Sequence, residues 1–266
     1  MPNIFGLNEW RNYDNPDPQA PLVLLFGDSW FWYPIPGVGS LADKFNDFGR
    51  AQAIPLVSIG DVGMEIGNPG KHLLYELSTF LQWESGTVDL IAVSGGGNDF
   101  AGPDDLDPLL RPGNKTDPLS WFKKEELTAL FQRVQAGYER VIHLRDTFCP
   151  GITILTHAYD FAHASGKGVL FLSPWLKPSF DKFNVPDALR PALIKVIIDR
   201  LARVQNGLAK KNKNYKFVNT PGTLTAAEWS NEIHPTREGF QKLAGKFFPQ
   251  FRSRFPDWVV KPKWLK

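Results

Sequence analysis

Three features of this 266-residue chain predict a three-layer α/β/α sandwich around a five-stranded parallel sheet in flavodoxin-like order. Short continuous apolar runs, the pattern of strands buried on both faces, recur along the chain. Amphipathic helical stretches separate them, so successive runs form right-handed βαβ units rather than hairpins. The runs give way to turn residues such as glycine, asparagine and aspartate, at the sheet edge where open α/β folds gather their ligands.

The length suits one large domain, placed at 21–255, preceded by an irregular polar segment at 1–20 and followed by a tail at 256–266. The 30 basic and 28 acidic residues leave a formal charge of +2. That balance argues against a nucleic-acid partner, which calls for a concentrated basic face. Cys149 is the single cysteine, so neither an internal disulfide nor a cysteine zinc cluster can form. No basic segment followed by an apolar one opens the chain, and no apolar run approaches the ~20 residues of a membrane span. The expectation is a cytoplasmic protein without an integral membrane segment, export by a signal-independent route staying open.

The first strand is Leu-Val-Leu-Leu-Phe at 22–26, ended by Gly27-Asp28-Ser29. A loop with four successive aromatics, Trp30, Phe31, Trp32 and Tyr33, follows; at least two are expected to line a cleft. Ser40 with Asp43 three residues on reads as the N-cap of a short helix reaching about residue 49. Residues 55–59 form the second strand, followed by Gly60-Asp61-Val62-Gly63. Asn68 as cap and Pro69 in the first turn open a helix whose apolar stripe is Leu73, Leu74, Leu77, Phe80 and Leu81. The third strand, 88–94, runs into Gly95-Gly96-Gly97-Asn98-Asp99. A polar loop leads to a long helix at 123–148, with Gly137 as its weak point. Residues 152–156 are the fourth strand, Pro191 opens a further helix, 215–218 is the fifth strand, and the last helix runs from 237 to about 251.

A serine at a strand end can act as a nucleophile if a base takes its proton and donors meet the oxyanion. Gly-Asp-Ser alone is also what a strand-ending turn looks like. Three more groups fall on the same edge in chain order: Gly63 after the second strand, Asn98 after the third, and His234-Pro235 before the last helix. His72 and His143 lie in helices and read as packing or surface residues. Asp160-Phe161-Ala162-His163 offers an Asp and a His three apart, but on the loop after the fourth strand and without the proline. With His157, these residues lack tight metal-ligand spacing.

In these blocks the chain resembles the SGNH, or GDSL-type, esterase and lipase family. Gly27-Asp28-Ser29 is similar to its first block, Gly63 to the glycine of its second, Gly97-Asn98-Asp99 to its third and His234-Pro235 to its last. The resemblance spans residues 22 to about 250. It implies a Ser-His ester hydrolase with Ser29 as nucleophile, His234 as base, and Ser29, Gly63 and Asn98 as oxyanion donors. No cofactor and no metal are implied; the partner is a small-molecule, glycan or lipid ester. One position departs from the family. Its last block places Asp three residues before the histidine, where this chain has Asn231. Asn231 orienting a Ser-His dyad, Glu232 supplying the carboxylate, and a slow enzyme all stay open, the first favoured by the offset. An acyltransferase using the same residues and a weakened carbohydrate- or lipid-binding module are the competing functions.

Overall fold

The computed structural model describes residues 4–14, 17, 19–33, 37–49, 54–102, 104–169 and 174–266. Its sheet is built from β1 (Ile4–Gly6), β2 (Leu22–Gly27), β3 (Leu56–Ile59), β4 (Val88–Ser94), β5 (Thr153–Thr156) and β6 (Tyr215–Phe217). All pairs are parallel and the order is β1-β3-β2-β4-β5-β6. The five expected strands stand in the flavodoxin-like order, and β1 is a sixth added outside β3. Residues 1–20 are therefore not irregular throughout: Ile4–Gly6 pairs with Leu56–Ser58, and α1 (Leu7–Arg11) follows it. A three-residue edge strand has no run or alternation long enough to register as a pattern.

Every residue of β2 is buried, which is why its sequence is apolar without alternation. The remaining helices are α2 (Leu41–Asn46), α3 (Lys71–Trp83), α4 (Asn98–Ala101), α5 (Lys124–Phe148), α6 (Lys177–Lys182), α7 (Arg190–Lys211) and α8 (Arg237–Arg254). Helices α3, α5 and α7 pack in succession, while α2 packs with α8, so the helices form two layers enclosing the sheet. The Ser40 cap forms as expected: its Oγ accepts from the Asp43 N–H at 3.3 Å and Asp43 returns a bond to the Ser40 N–H at 2.7 Å. Helix α3 begins later than expected, with Gly70 rather than Asn68 at the cap. The tail folds back, since Val259 is buried, the Val260 N–H reaches the Phe48 carbonyl at 2.8 Å, and Trp264 Nε1 reaches Asp47 at 2.8 Å.

Two close approaches bring the site together. A Cβ on Gly60 would stand 1.7 Å from the Gly27 carbonyl, and one on Gly27 would stand 2.4 Å from the Ser94 carbonyl. The carboxyl ends of β3, β2 and β4 converge there because neither glycine carries a side chain. Gly137 is less a weak point than a contact, because a Cβ there would strike the Ile66 carbonyl at 2.0 Å. Among the described residues no helix is long and apolar enough to cross a membrane.

Candidate active site

Ser29 follows the end of β2 and is 4% exposed. The turn that holds it is fixed by Asp28, whose carboxylate accepts from the Trp30 N–H at 3.0 Å, from Ser94 Oγ at 2.7 Å and from the Tyr159 hydroxyl. Asp28 is fully enclosed, and burial pushes its carboxyl up to about 6 despite these donors. Trp30 turns its indole N–H to the Ile233 carbonyl at 3.0 Å, which ties the serine turn to the loop carrying His234.

The long connection from β6 to α8 ends in a tight turn closed by an antiparallel bridge between Trp229 and Pro235. The Ser230 N–H donates to the His234 carbonyl at 2.9 Å, and Thr236 caps α8 by accepting from the Gly239 N–H at 3.1 Å. His234 Nε2 lies 2.8 Å from Ser29 Oγ, and its Nδ1 lies 3.2 Å from Asn231 Oδ1. The backbone N–H groups of Ile233 and His234 also donate to Asn231 Oδ1, at 3.0 and 2.9 Å. The two backbone donors identify that atom as the amide oxygen, so Nδ1 facing it carries the proton and Nε2 presents a lone pair to the serine hydroxyl. This is the tautomer a general base needs. Burial holds the His234 imidazolium far below its usual range, at about 3, and no charge among the described residues offsets it.

Glu232 faces elsewhere. Its buried carboxylate accepts from the N–H groups of Gly166 (2.8 Å), Trp175 (2.7 Å), Leu176 (2.6 Å) and Lys177 (3.2 Å). It fastens the loop after β5; among the described residues no hydrogen bond joins it to His234. Asp160 is likewise taken up by the N–H groups of Gly222, Thr223 and Leu224 at 2.5, 2.8 and 2.7 Å, while His163 is exposed. His157 is a core residue, stacked on Trp30 with ring centroids 5.4 Å apart; its Nδ1 accepts from the Tyr159 N–H, and burial lowers it to about 3. His72 pairs with Asp61 on the surface at 3.0 Å, and His143 is exposed.

The structure brings Asn98 to the site, whereas Gly63 is not among the residues lining the cavity beside Ser29. Asn98 opens α4 and lines the cavity beside Ser29, its Nδ2 donating to the Met64 carbonyl at 3.2 Å and to Asp28 at 3.4 Å. Both partners are acceptors, so the amide nitrogen faces them. Gly63 adopts φ +86° in an exposed turn that borders a separate open groove with Asp61, Val62 and Glu65. Asp99 pins that turn's far end by accepting from the Ile66 and Gly67 N–H groups at 2.9 and 2.8 Å.

The cavity holds about 30 Å³ and is walled by Trp30, Phe100, Ala101, Ile198, Trp229 and Ile233 among others. Of the four aromatics after Ser29, Trp30 forms this wall and Tyr33 lies against His234; Phe31 enters the core and Trp32 is 61% exposed.

No family model and no curated protein matches the chain. Solved structures do match it. An aryl esterase from M. smegmatis superposes with TM-score 0.54 at 16% identity, over 88% of this chain and 99% of that one. The lipase Lip_vut3 from a goat rumen metagenome gives 0.51 at 12% identity over 88% and 97%. A candidate GDSL-like lipase from Parabacteroides merdae gives 0.51 at 14% identity over 86% and 94%. The fold is of the SGNH-hydrolase type. Within this SGNH-type fold, sequence reading missed Tyr159 and gave Asp28 only a turn former's part. The available signal was a second carboxylate and a tyrosine, each placed at a strand end.

Proposed function

We propose that the chain is a serine esterase working through an acyl-enzyme on Ser29. The observation carrying this reading is the 2.8 Å contact of Ser29 Oγ with the unprotonated Nε2 of His234, in a tautomer fixed by Asn231. Ser29 Oγ attacks the ester carbonyl as its proton passes to Nε2. The tetrahedral oxyanion collapses, the C–O bond to the alcohol breaks, and the alcohol leaves with the proton from Nε2. Water then repeats the sequence on the acyl-enzyme, releasing the acid and the free serine. The Ser29 N–H and the Asn98 amide are the oxyanion donors in this reading, Asn98 exchanging its bond to Met64 for one to the oxyanion, while Gly63 stays in its exposed turn on the separate groove.

The cavity's wall of Trp30, Phe100, Ala101 and Ile198 supports an apolar acyl group, and the order of turnover among esters of rising chain length decides its size. The test is turnover of nitrophenyl esters from two to twelve carbons, with fluorophosphonate labelling. Ser29→Ala is expected to abolish both in a protein that still folds; unchanged turnover refutes the mechanism. Burial of Ser29 and His234, each 4% exposed, favours a second reading in which a bound alcohol takes the acyl group ahead of water. Product partition with added polyols distinguishes the two.

A further inference from the structure

An SGNH-type site without a carboxylate on its histidine has to stabilise the imidazolium by other means. We propose that Tyr33 is a positioning residue that takes over this part, its ring face stabilising the cation that forms on His234 while its hydroxyl holds Asn231. The inference rests on the Ser29–His234 mechanism proposed above and adds a member to it.

The geometry is specific. The Tyr33 and His234 rings are stacked, with centroids 3.9 Å apart and planes 20° from parallel. Asn231 Nδ2 donates to the Tyr33 hydroxyl at 2.9 Å, so one side chain touches both the base and the residue that orients it. Trp175 meets the same imidazole edge-on at 5.8 Å. An aromatic face carries the negative end of the ring quadrupole and attracts a cation lying over it. Neutral imidazole gains little from that field. The interaction therefore strengthens as the proton arrives, which is the requirement for lowering a barrier rather than only tightening a ground state.

Among the described residues no other charge fills this part. Asp28 and Asp160 line the same cavity, but their oxygens are engaged by Ser94, Tyr159 and the Trp30 N–H, and by the N–H groups of the loop after β6. Glu232 is held by the loop after β5. On the α8 side, Glu228 pairs with Lys242. The helix itself works against the cation, since its positive amino-terminal end, capped by Thr236, begins two residues beyond His234. Tyr33 is thus placed where the electrostatic need is greatest.

The test uses Tyr33→Leu and Tyr33→Phe, each alone and with Asn231→Asp. Wild-type hydrolysis and labelling of Ser29 are established first, so that failure of the esterase reading shows as an inactive, unlabelled parent. Tyr33→Leu is expected to lower kcat by about 3- to 30-fold, the range of a partly desolvated cation–π contact, with KM within twofold. Tyr33→Phe keeps the face but loses the hydroxyl that holds Asn231, and its loss in kcat is expected to be clearly smaller than that of Tyr33→Leu. In the Asn231→Asp background the acid limb of the pH–rate profile becomes readable, and Tyr33→Leu is expected to move its midpoint down by about 0.5 to 1.5 pH units. A ring that only shields the imidazole from water gives the opposite sign, because its removal hydrates the cation and moves the midpoint up. A midpoint that rises or stays, or a Tyr33→Phe variant as slow as Tyr33→Leu, overturns the proposal.

Discussion

Replacing Asn231 by aspartate restores the charge that His234 lacks, and the structure allows its size to be worked out. Three N–H groups already converge on Asn231 Oδ1, and the second oxygen of an aspartate would face the Tyr33 hydroxyl, which can turn to donate. The exchange is isosteric and leaves no buried donor orphaned. A carboxylate oxygen 3.2 Å from Nδ1 attracts the imidazolium by about 5 kcal/mol at an effective dielectric of ~20, a gross rise of about four pH units. Part of this is lost to enclosing the new carboxylate, for which Asp28 gives a local measure at about 6. The imidazolium, now near 3, is expected to titrate at about 6 to 7 in the variant. With a Brønsted coefficient of about one half, the stronger base speeds the acylation step by roughly 10- to 100-fold at pH 8. At pH 5 the gain vanishes because the base is protonated. The assay is kcat/KM for nitrophenyl acetate from pH 4 to 9, beside the imidazole resonances by NMR. Wild type is expected to show no acid limb above pH 5, whereas Asn231→Asp gains one. A raised imidazolium midpoint without faster turnover at pH 8 refutes the argument that base strength limits this enzyme.

Three further outcomes follow from the same contacts. Asn98→Ala is expected to lower kcat by about 10²- to 10³-fold with binding little changed, whereas a loss below a few-fold in steady-state kinetics assigns Asn98 to the turn alone. Glu232→Gln sets an amide N–H₂ against converging backbone donors; a loss of about 1–3 kcal/mol in urea unfolding is expected, with faster proteolysis in the loop after β5, and unchanged stability counts against its clasping role. Burial lowers His157 and His234 to about 3 from 6.5 and raises Asp28 and Asp99 to about 6 from 3.8. Between pH 3.8 and 6 the unfolded chain holds protons on both histidines and the folded chain holds them on both aspartates, so their effects on stability cancel. Below that window the unfolded state binds two more protons, and stability falls by about 2.7 kcal/mol per pH unit. His157→Asn keeps the acceptor for the Tyr159 N–H and removes one histidine, so stability is expected to rise by about 1.4 kcal/mol per unit of acidification from pH 6 to 4. An unaltered slope in urea midpoints shows that His157 is not held neutral by the fold.

The sheet was legible because its central strands are buried on both faces and cannot afford polar residues. Leu22–Gly27 has no other reading. β1 was not legible: Ile4, Phe5 and Gly6 lie at the edge, none fully buried, and their strand character comes from pairing with β3. The Ser29, Asn98 and His234 positions were legible because each sits at a strand end or before a helix. The choice between Asn231 and Glu232 was not. Both are neighbours in one turn, and what separates them is the set of N–H groups each faces. Those facing Asn231 come from its own turn, and those facing Glu232 come from residues about 60 positions earlier.

That division points to how the site is held together. Four carboxylates ring the carboxyl edge of the sheet, and each fastens one connection. Asp28 holds the serine turn, Asp99 the turn after β3, Glu232 the loop after β5, and Asp160 the loop after β6. Enclosing them is unfavourable, as the raised Asp28 and Asp99 carboxyls show, and backbone N–H groups aimed at the oxygens offset that penalty. Each carboxylate so engaged is unavailable to the histidine. A fifth beside Nδ1 would add another buried anion close to Asp28, and a neutral amide avoids the repulsion. The charge the site withholds from His234 is then made up by polarisable faces, Tyr33 above all, which stabilise a cation without adding a buried anion. Stability of the loops and strength of the base are opposed here. Asn231 stands where the sequence resolves that opposition in favour of the loops.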